Sequence, residues 1–245
     1  MLRRILRRLA GGVPPPLPPP GAPALPRSAY KPVWNALSDT ETRAKLHVVG
    51  SEREEDFANT GVVTRDVLLK TVGINPYDTF LEIGCGVGRV GQAIAPLCKQ
   101  WIGCDVSSNM LAHAKRRLQD MPNVALVEIS GYDLQPIPDE SIDVVYCTIV
   151  FMHLEEWDRY NYVLEARRVL RPTGRIMIDN FSLLSDEGWE VFETHRTRFT
   201  PAERASHMSK SSTPQELETY LRRAGFTGVQ GLSEGPMIHY WGVKV

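Results

Sequence analysis

The length, composition and charge of this chain limit its class. Its 245 residues suit one domain with an appendage, and 28 basic against 29 acidic residues leave a net charge of -1, which gives no overall field for nucleic acid. No apolar run approaches the roughly 20 residues of a membrane span, and the four cysteines form no C-x-x-C pair, so we expect a cytosolic protein with reduced thiols.

The first 29 residues differ in composition from the rest, and we expect them to be disordered. Residues 1–12 place four apolar side chains at helical spacing between four arginines: Leu2, Ile5, Leu6 and Leu9. This basic amphipathic pattern favours contact with a membrane surface, and a disordered arginine-rich start explains it equally well. Residues 13–26 are rich in proline and predict a stiff linker.

Residues 30–75 predict a helical cap ahead of the main fold. Apolar residues lie among many charges over 31–60, which indicates one or two helices. A further helix is predicted from Thr60 or Gly61 through Thr71, before Asn75-Pro76 breaks the chain.

From residue 78 the pattern alternates between strands and helices, which is typical of a parallel sheet covered on both faces. The predicted strands are 79–83, 101–104, 124–129, 142–148, 175–181, 226–232 and 237–245. The predicted helices are 89–98, one capped by Ser107 or Ser108, 155–170 ending before Arg171-Pro172-Thr173-Gly174, and one from Pro214 that stops at Gly225. Residues 182–212 have weak periodicity, and we expect a substrate-facing insertion there.

The strongest motif is TFLEIGCGVGR, from Thr79 to Arg89, where an apolar strand opens into glycines. Backbone N–H groups in such a turn approach a ligand with no side chain in the way. A tight turn without a ligand is the plain alternative. Residues 86–91 also match G-x-G-x-x-G, two residues after the strand end, so a nicotinamide or flavin enzyme stays a candidate.

Two acids give the motif its chemistry. Asp105 ends the second strand, 21 residues after Gly84, where a carboxylate reaches ribose hydroxyls in nucleotide-binding folds. Its alternative role is to cap the next helix through Ser107. Glu82, at the end of the first strand, would repel a pyrophosphate and suits a ligand with an ammonium group.

Four motifs then occur in the order of a known family. LEIGCGVGR, GCDVS followed by Met110, PIPDESIDVVYC and RRVLRPTGRIMI resemble the class I S-adenosylmethionine-dependent methyltransferases over about residues 60–245. The resemblance implies an α/β, Rossmann-like fold: a seven-stranded, mostly parallel sheet with helices on both faces and an antiparallel last strand. It implies S-adenosylmethionine as the cofactor, bound by Glu82, Gly84, Cys85, Gly86, Asp105, Val106, Met110, Gly131, Tyr132 and Thr148.

The chain departs from family patterns in two places. After the third strand the family often has Gly-Asp-Ala, with the Asp on the adenine amino group, whereas this chain has Ser130-Gly131-Tyr132. The backbone of Gly131 and Tyr132, or the side chain of Asp133, is expected to serve instead. Asp179-Asn180 resembles the metal-dependent catechol-type members, but those need an acid where this chain has Cys147-Thr148, so we expect no metal.

Catalytic candidates follow from the reaction that the resemblance implies. Transfer from a sulfonium needs mainly alignment, and an alcohol acceptor also needs a base. His153 lies about where similar enzymes place a residue facing the acceptor, and Asp179 is placed to orient it or to act itself. His195 and His207 lie in the insertion and are further candidates. Packing or strand-end roles are the alternatives for all four.

The sequence therefore predicts O-methylation of a small-molecule, glycan or lipid-linked hydroxyl acceptor, since the Asn-Pro-Pro-aromatic motif of amino-methylating enzymes is missing. The alternatives are a non-catalytic scaffold that kept the cofactor fold and an NAD(P)-dependent oxidoreductase. We expect no nucleic-acid partner, a monomer or weak dimer, and a cytoplasmic location, with residues 1–12 favouring the inner membrane surface.

Overall fold

The computed structural model describes residues 29–200, 204–205 and 207–245, so the predictions for residues 1–28 lie outside the described residues. Its centre is a seven-stranded sheet of order β3-β2-β1-β4-β5-β7-β6. The strands are β1 (Thr79–Ile83), β2 (Gln100–Asp105), β3 (Val124–Glu128), β4 (Ile142–Cys147), β5 (Leu170–Phe181), β6 (Phe226–Glu234) and β7 (Met237–Lys244). The first five pair in parallel, and β7 runs antiparallel to both β5 and β6. The predicted fold class is confirmed.

Eight α-helices of the described chain surround the sheet: α1 (Tyr30–Leu37), α2 (Glu41–Val49), α3 (Glu54–Thr71), α4 (Arg89–Ile94), α5 (Ser108–Arg117), α6 (Glu156–Val169), α7 (Asp186–Arg198) and α8 (Pro214–Arg223). Side-chain caps set several of their starts. The Ser107 hydroxyl accepts the Met110 N–H to begin α5, and Thr213 does the same for Glu216 at α8, where Pro214 fixes the first turn. No helix of the described ranges is long and apolar enough to cross a membrane.

Alternation along the strands sends apolar side chains to both faces of the sheet. Leu81 and Ile83 of β1 belong to a core with residues of α6 and α8. Phe80, which precedes Leu81 and points to the opposite face, joins a second core with residues of α3 and α4. Burying such a side chain stabilises the fold by about 1.5–3 kcal/mol, so the two cores fix the register that places the strand ends.

Two predicted boundaries were wrong. Helix α3 begins at Glu54, with Glu54, Glu55 and Asp56 in its first turn, so Gly61 lies inside it. Glycine is needed at this position because a Cβ would come within 2.6 Å of the Arg89 carbonyl oxygen on α4. Strand β5 begins at Leu170, which pairs with Ile142, because the chain passes directly from α6 into the strand. The predicted turn becomes an irregularity within β5, with Thr173 at φ +66°.

The segment around α1 and α2 is anchored on α5. The Ser38 hydroxyl lies 3.0 Å from that of Ser107, and the Asn109 amide donates to the Asn35 carbonyl at 3.0 Å. The Nε2 atom of His113 lies 3.0 Å from the Ser38 carbonyl oxygen. These contacts hold the two helices beside the carboxyl end of β2.

Candidate active site

A cleft that is partly open to solvent lies at the carboxyl ends of β1, β2 and β4. Most of the predicted site residues line it: Glu82, Gly84, Cys85, Gly86, Asp105, Val106, Met110, Gly131, Thr148 and His153. Tyr132 and Asp179 are not among the lining residues. The opposite wall comes from α1 and α2, with Tyr30, Trp34, His47 and Val48.

The glycine loop takes a conformation that other residues rarely adopt. Gly84 has φ +72° and Gly86 has φ +53°, and a Cβ on Gly84 would lie 2.3 Å from a methyl carbon of Val150. The loop therefore packs directly against the segment that follows β4. Its backbone lies open to the cleft, as a ligand cradle requires.

Asp105 holds this loop in place. Its Oδ2 accepts the Gly86 N–H and its Oδ1 accepts the Ser107 N–H, both at 2.8 Å. Burial raises the pKa of Asp105 to about 6, against the lowering effect of these hydrogen bonds. Each carboxylate oxygen has a second lone pair, so the group can also accept ligand hydroxyls.

Glu82 is the end of a buried hydrogen-bond chain. The Trp101 indole N–H donates to the Tyr146 hydroxyl at 2.8 Å, and that hydroxyl donates to Glu82 Oε2 at 2.7 Å. Burial raises the pKa of Glu82 to about 8, while Tyr146 and the charge of Arg89 lower it. A cation in the cleft would favour the ionised form of this carboxyl.

Uncharged aromatic and histidine rings form the other side of the cleft. The rings of Trp34 and His153 lie 4.9 Å apart, edge to face, and His153 Nδ1 is 2.6 Å from the His207 carbonyl oxygen. Burial lowers the pKa of His153 to about 3 and that of His207 to about 4. A carbonyl oxygen only accepts, so we assign the proton to Nδ1 of His153 and the lone pair to Nε2.

Three other predicted positions lie away from the cleft. Asp179 is 2% exposed, its Oδ1 accepts the Ile149 N–H at 2.7 Å, and its described contacts do not include His153. Tyr132 is 45% exposed, and only its neighbour Gly131 lines the cleft. The Asp133 carboxylate accepts the Gln135 N–H at 3.2 Å, and Asp133 is not among the residues that line the cleft.

The sequence missed several lining residues. Trp34 and His47 belong to helices without a motif, and the sequence indicates Arg89 only as the start of a helix. An arginine directly after the glycine motif was the available signal. Within the described residues, no group of three or more His, Cys, Asp or Glu side chains is placed to hold a metal ion.

The cleft fits a nucleoside that carries an amino acid. It combines the buried carboxylates of Glu82 and Asp105 with the open backbone of the glycine loop. Thr148 lines this cleft, and its buried hydroxyl oxygen has no hydrogen-bond partner among the described residues. A bound ligand that supplies that partner would remove the cost of leaving it unpaired.

Comparisons with known proteins agree with this geometry. Residues 81–178 match the family model described as a methyltransferase domain. A probable S-adenosylmethionine-dependent methyltransferase of Mycobacterium tuberculosis is 31% identical over 64% of this chain and 53% of its own length. A malonyl-[acyl-carrier protein] O-methyltransferase of Methylococcus capsulatus is 26% identical over 63% of this chain and 54% of its own. The chain thus spans about half the length of these curated relatives.

Several solved structures align with this fold. The YcgJ protein of Bacillus subtilis aligns with a TM-score of 0.59 and 20% identity over 75% of this chain and 98% of its own. A Haemonchus contortus phosphoethanolamine N-methyltransferase, in complex with phosphoethanolamine and S-adenosylhomocysteine, aligns with a TM-score of 0.62 and 18% identity over 89% of this chain and 49% of its own. At identities this low, the alignments show a shared fold and nothing further. The matched methyltransferase domain, the curated relatives and the sheet order together make this chain similar to the class I S-adenosylmethionine-dependent methyltransferases.

Proposed function

We propose that this chain is an enzyme that transfers a methyl group from S-adenosylmethionine to a neutral, hydroxyl-bearing acceptor in the cleft. The observation that carries the proposal is the meeting of three groups in one cleft. Glu82 and Asp105 end adjacent parallel strands beside the glycine loop, and the uncharged His153 lies in the same cleft.

The cofactor half of the cleft is assigned from its contacts. The backbone of Gly84 and Gly86 would lie against the methionine part, Glu82 would face its ammonium group and Asp105 its ribose hydroxyls. Val106, Met110 and Gly131 would surround the adenine. When bound, the cofactor supplies a methyl group on a positively charged sulfur, which is a strong electrophile.

The acceptor half favours a neutral molecule. The acids and the arginine that line the cleft lie on β1, β2 and α4, whereas the wall from α1 and α2 presents Trp34, His47 and Val48. Burial lowers the pKa of His47, which keeps its ring uncharged near neutral pH. A charged acceptor would lose its hydration against this wall without gaining a charged partner.

His153 is the proposed base. Its Nε2 lone pair would accept the acceptor's hydroxyl proton while the oxygen–methyl bond replaces the sulfur–methyl bond, which would leave S-adenosylhomocysteine. The proton would then pass from His153 to solvent. Burial makes the imidazolium costly, so His153 would hand the proton on rather than keep it. Acid–base assistance of this kind contributes about 10²–10⁴-fold to a rate.

The test is S-adenosylhomocysteine formation with a panel of neutral alcohols, phenols and glycosides, alongside matched amines and carboxylates. We expect turnover with a hydroxyl acceptor and a loss of about 10²–10⁴-fold in kcat for His153→Ala, with S-adenosylhomocysteine affinity little changed. His195→Ala, a histidine outside the cleft lining, is the matched control. Turnover with amines alone, or an equal loss in both variants, would contradict the proposal.

We further propose that residues 1–12 bring the enzyme to an anionic membrane surface that holds a lipid-linked acceptor. The support is the sequence pattern of leucines among four arginines, in a segment outside the described residues. Deleting residues 1–26 should weaken binding to anionic vesicles and leave turnover of a soluble acceptor intact. Equal vesicle binding by the full chain and the deleted form would count against this contact.

A further inference from the structure

Helix α6 carries a row of large apolar side chains on its solvent face. Trp157, Tyr160 and Leu164 follow one another at spacings of three and four residues, so they lie on one side of the helix. Trp157 is 71% exposed and Leu164 is also exposed, while the buried side of α6 packs on the sheet. A contiguous exposed group of large apolar side chains marks an interaction surface.

Two tyrosines from other segments extend this row on either side. The rings of Tyr160 and Tyr220 lie 5.5 Å apart, and the Tyr220 hydroxyl donates to the Glu156 carbonyl oxygen at 3.3 Å. The Asn161 amide donates to the carbonyl oxygen of Tyr132, whose side chain is exposed. The five residues do not line the cleft, so the proposed methyl transfer leaves them without a role. We call them the aromatic band: Tyr132, Trp157, Tyr160, Leu164 and Tyr220.

The described chain enters beside the aromatic band. Its first helix begins at Tyr30, whose hydroxyl donates to Asp158 Oδ2 at 2.5 Å. Asp158 directly follows Trp157, and the ring of Tyr30 lies 6.4 Å from that of Tyr132. Residues 1–28 are therefore tethered at one end of the aromatic band.

The tethered residues have the composition of a ligand for aromatic side chains. Residues 13–26 hold eight prolines in 14 positions. Such a sequence favours the polyproline II helix, which has three residues per turn. Proteins bind polyproline II segments in grooves lined by aromatic side chains. At a spacing of three, one side of the segment would be apolar throughout, with Pro14, Leu17, Pro20, Pro23 and Pro26.

We propose that the aromatic band is a docking surface for residues 13–26 of the same chain. At about 3.1 Å per residue the segment reaches roughly 40 Å. The two helical turns between Trp157 and Leu164 span only roughly 11 Å, so the segment is long enough to cover them. Docking within one chain also needs little intrinsic affinity, because a tether holds the segment at an effective concentration on the order of millimolar.

The charges on the two sides are complementary. Residues 1–28 hold five arginines and no acid. Beside the aromatic band, Glu156 is exposed next to Trp157, and Asp133 is partly exposed next to Tyr132. Opposite charges at the edge of an apolar contact favour one partner over others. Docking would also fix where residues 1–12 leave the fold, and so which side of the enzyme would face a membrane.

Photo-crosslinking of the full chain tests the docking. Benzoylphenylalanine replaces Leu164, and the irradiated protein is digested with trypsin. We expect a cross-link within one chain to the tryptic peptide 9–27, which contains residues 13–26. The matched control places benzoylphenylalanine at Tyr77, which is 82% exposed near the amino end of β1, and should lose this product.

Two variants of the Leu164-labelled chain show whether the aromatic rings hold the segment. Trp157→Ala should lower the yield of the cross-link about fivefold or more, as for loss of a central tryptophan from an interface. Trp189→Ala removes another exposed tryptophan, on α7, and should leave the yield unchanged. Equal yields in both variants, with unfolding midpoints like the parent's, would reject the aromatic band as the docking surface.

Three further results would overturn the inference. An equal yield from the Tyr77 position would mean that residues 13–26 contact the surface without preference. A cross-link found only between isotope-labelled and unlabelled chains would assign the aromatic band to a second copy. A product without any peptide from residues 1–28 would leave the band with no partner from this segment. None of these results involves the cofactor, so they leave the proposed function untouched.

Discussion

Asp179 holds the backbone of a strained residue at the wall of the cleft. Ile149 has φ +60°, which is a rare conformation for a β-branched residue, and its N–H donates to Asp179 Oδ1 at 2.7 Å. Its neighbours Thr148 and Val150 both line the cleft. Such strain costs on the order of 1–3 kcal/mol, and a hydrogen bond to a charged group returns about 1.5–3 kcal/mol. The two effects are similar in size, so the positive φ of Ile149 depends on the hydrogen bond that Asp179 accepts.

We therefore predict that Asp179→Ala lowers the free energy of unfolding by about 2–3 kcal/mol, since it leaves the Ile149 N–H unpaired beside a strained residue. Asp179→Asn keeps an acceptor oxygen and should lose less than about 1 kcal/mol. Ile149→Gly removes the strain because glycine adopts positive φ freely. The loss of unfolding free energy that Ile149→Gly causes should thus be about 1 kcal/mol smaller in the Asp179→Ala background than in the parent.

Urea unfolding at pH 8 measures these differences, because burial raises the pKa of Asp179 to about 7 and the carboxyl is mostly ionised there. S-adenosylhomocysteine affinity should fall in Asp179→Ala and be nearly retained in Asp179→Asn. Equal destabilisation by both substitutions, or no destabilisation by Asp179→Ala, would refute the backbone-holding role. A large loss of kcat in Asp179→Asn with unchanged stability would instead favour the direct catalytic role.

Two further predictions concern pH and the glycine loop. Burial raises the pKa of Glu82 to about 8 and that of Asp179 to about 7, so the native state binds more protons than the unfolded state between pH 6.5 and 8. The free energy of unfolding of the ligand-free protein should therefore fall by about 2 kcal/mol over that range; the buried histidines, with lowered pKa values, add stability only as pH rises to about 6.5. The free energy of unfolding, measured by urea titration at each pH, should fall less between pH 6.5 and 8 in Glu82→Gln than in the parent. An equal fall in both proteins would contradict the assignment of the raised pKa to Glu82. Gly84→Ala should lower both stability and S-adenosylhomocysteine affinity because its Cβ meets Val150 at a positive φ, whereas Gly235→Ala, with no atom within 4 Å, should leave that affinity unchanged.

Local patterns were enough to predict the part of the site that the sheet carries. Strand β1 starts and ends at the predicted residues, and Asp105 lies at the end of β2. Each signal is read within a few residues, through alternation, glycines and a capping serine. The carboxyl ends of parallel strands then bring Glu82 and Asp105 together without further information.

The wall that α1 and α2 contribute to the cleft could not be predicted in the same way. Trp34 and His47 reach the cleft because Ser38 and its neighbours anchor α1 and α2 on α5, a tertiary contact with no local pattern. The backbone contact of Asp179 and the burial of Arg89 involve partners far away in sequence, Ile149 and Thr64. Residue type and spacing do not encode such partners.

Titration of the purified full-length chain with S-adenosylhomocysteine, with NADH as the control, tests the central claim most directly. We predict micromolar binding of S-adenosylhomocysteine and no binding of NADH. NADH binding without S-adenosylhomocysteine binding would contradict the account in favour of an oxidoreductase. Binding of neither ligand would contradict it in favour of a scaffold that kept only the fold.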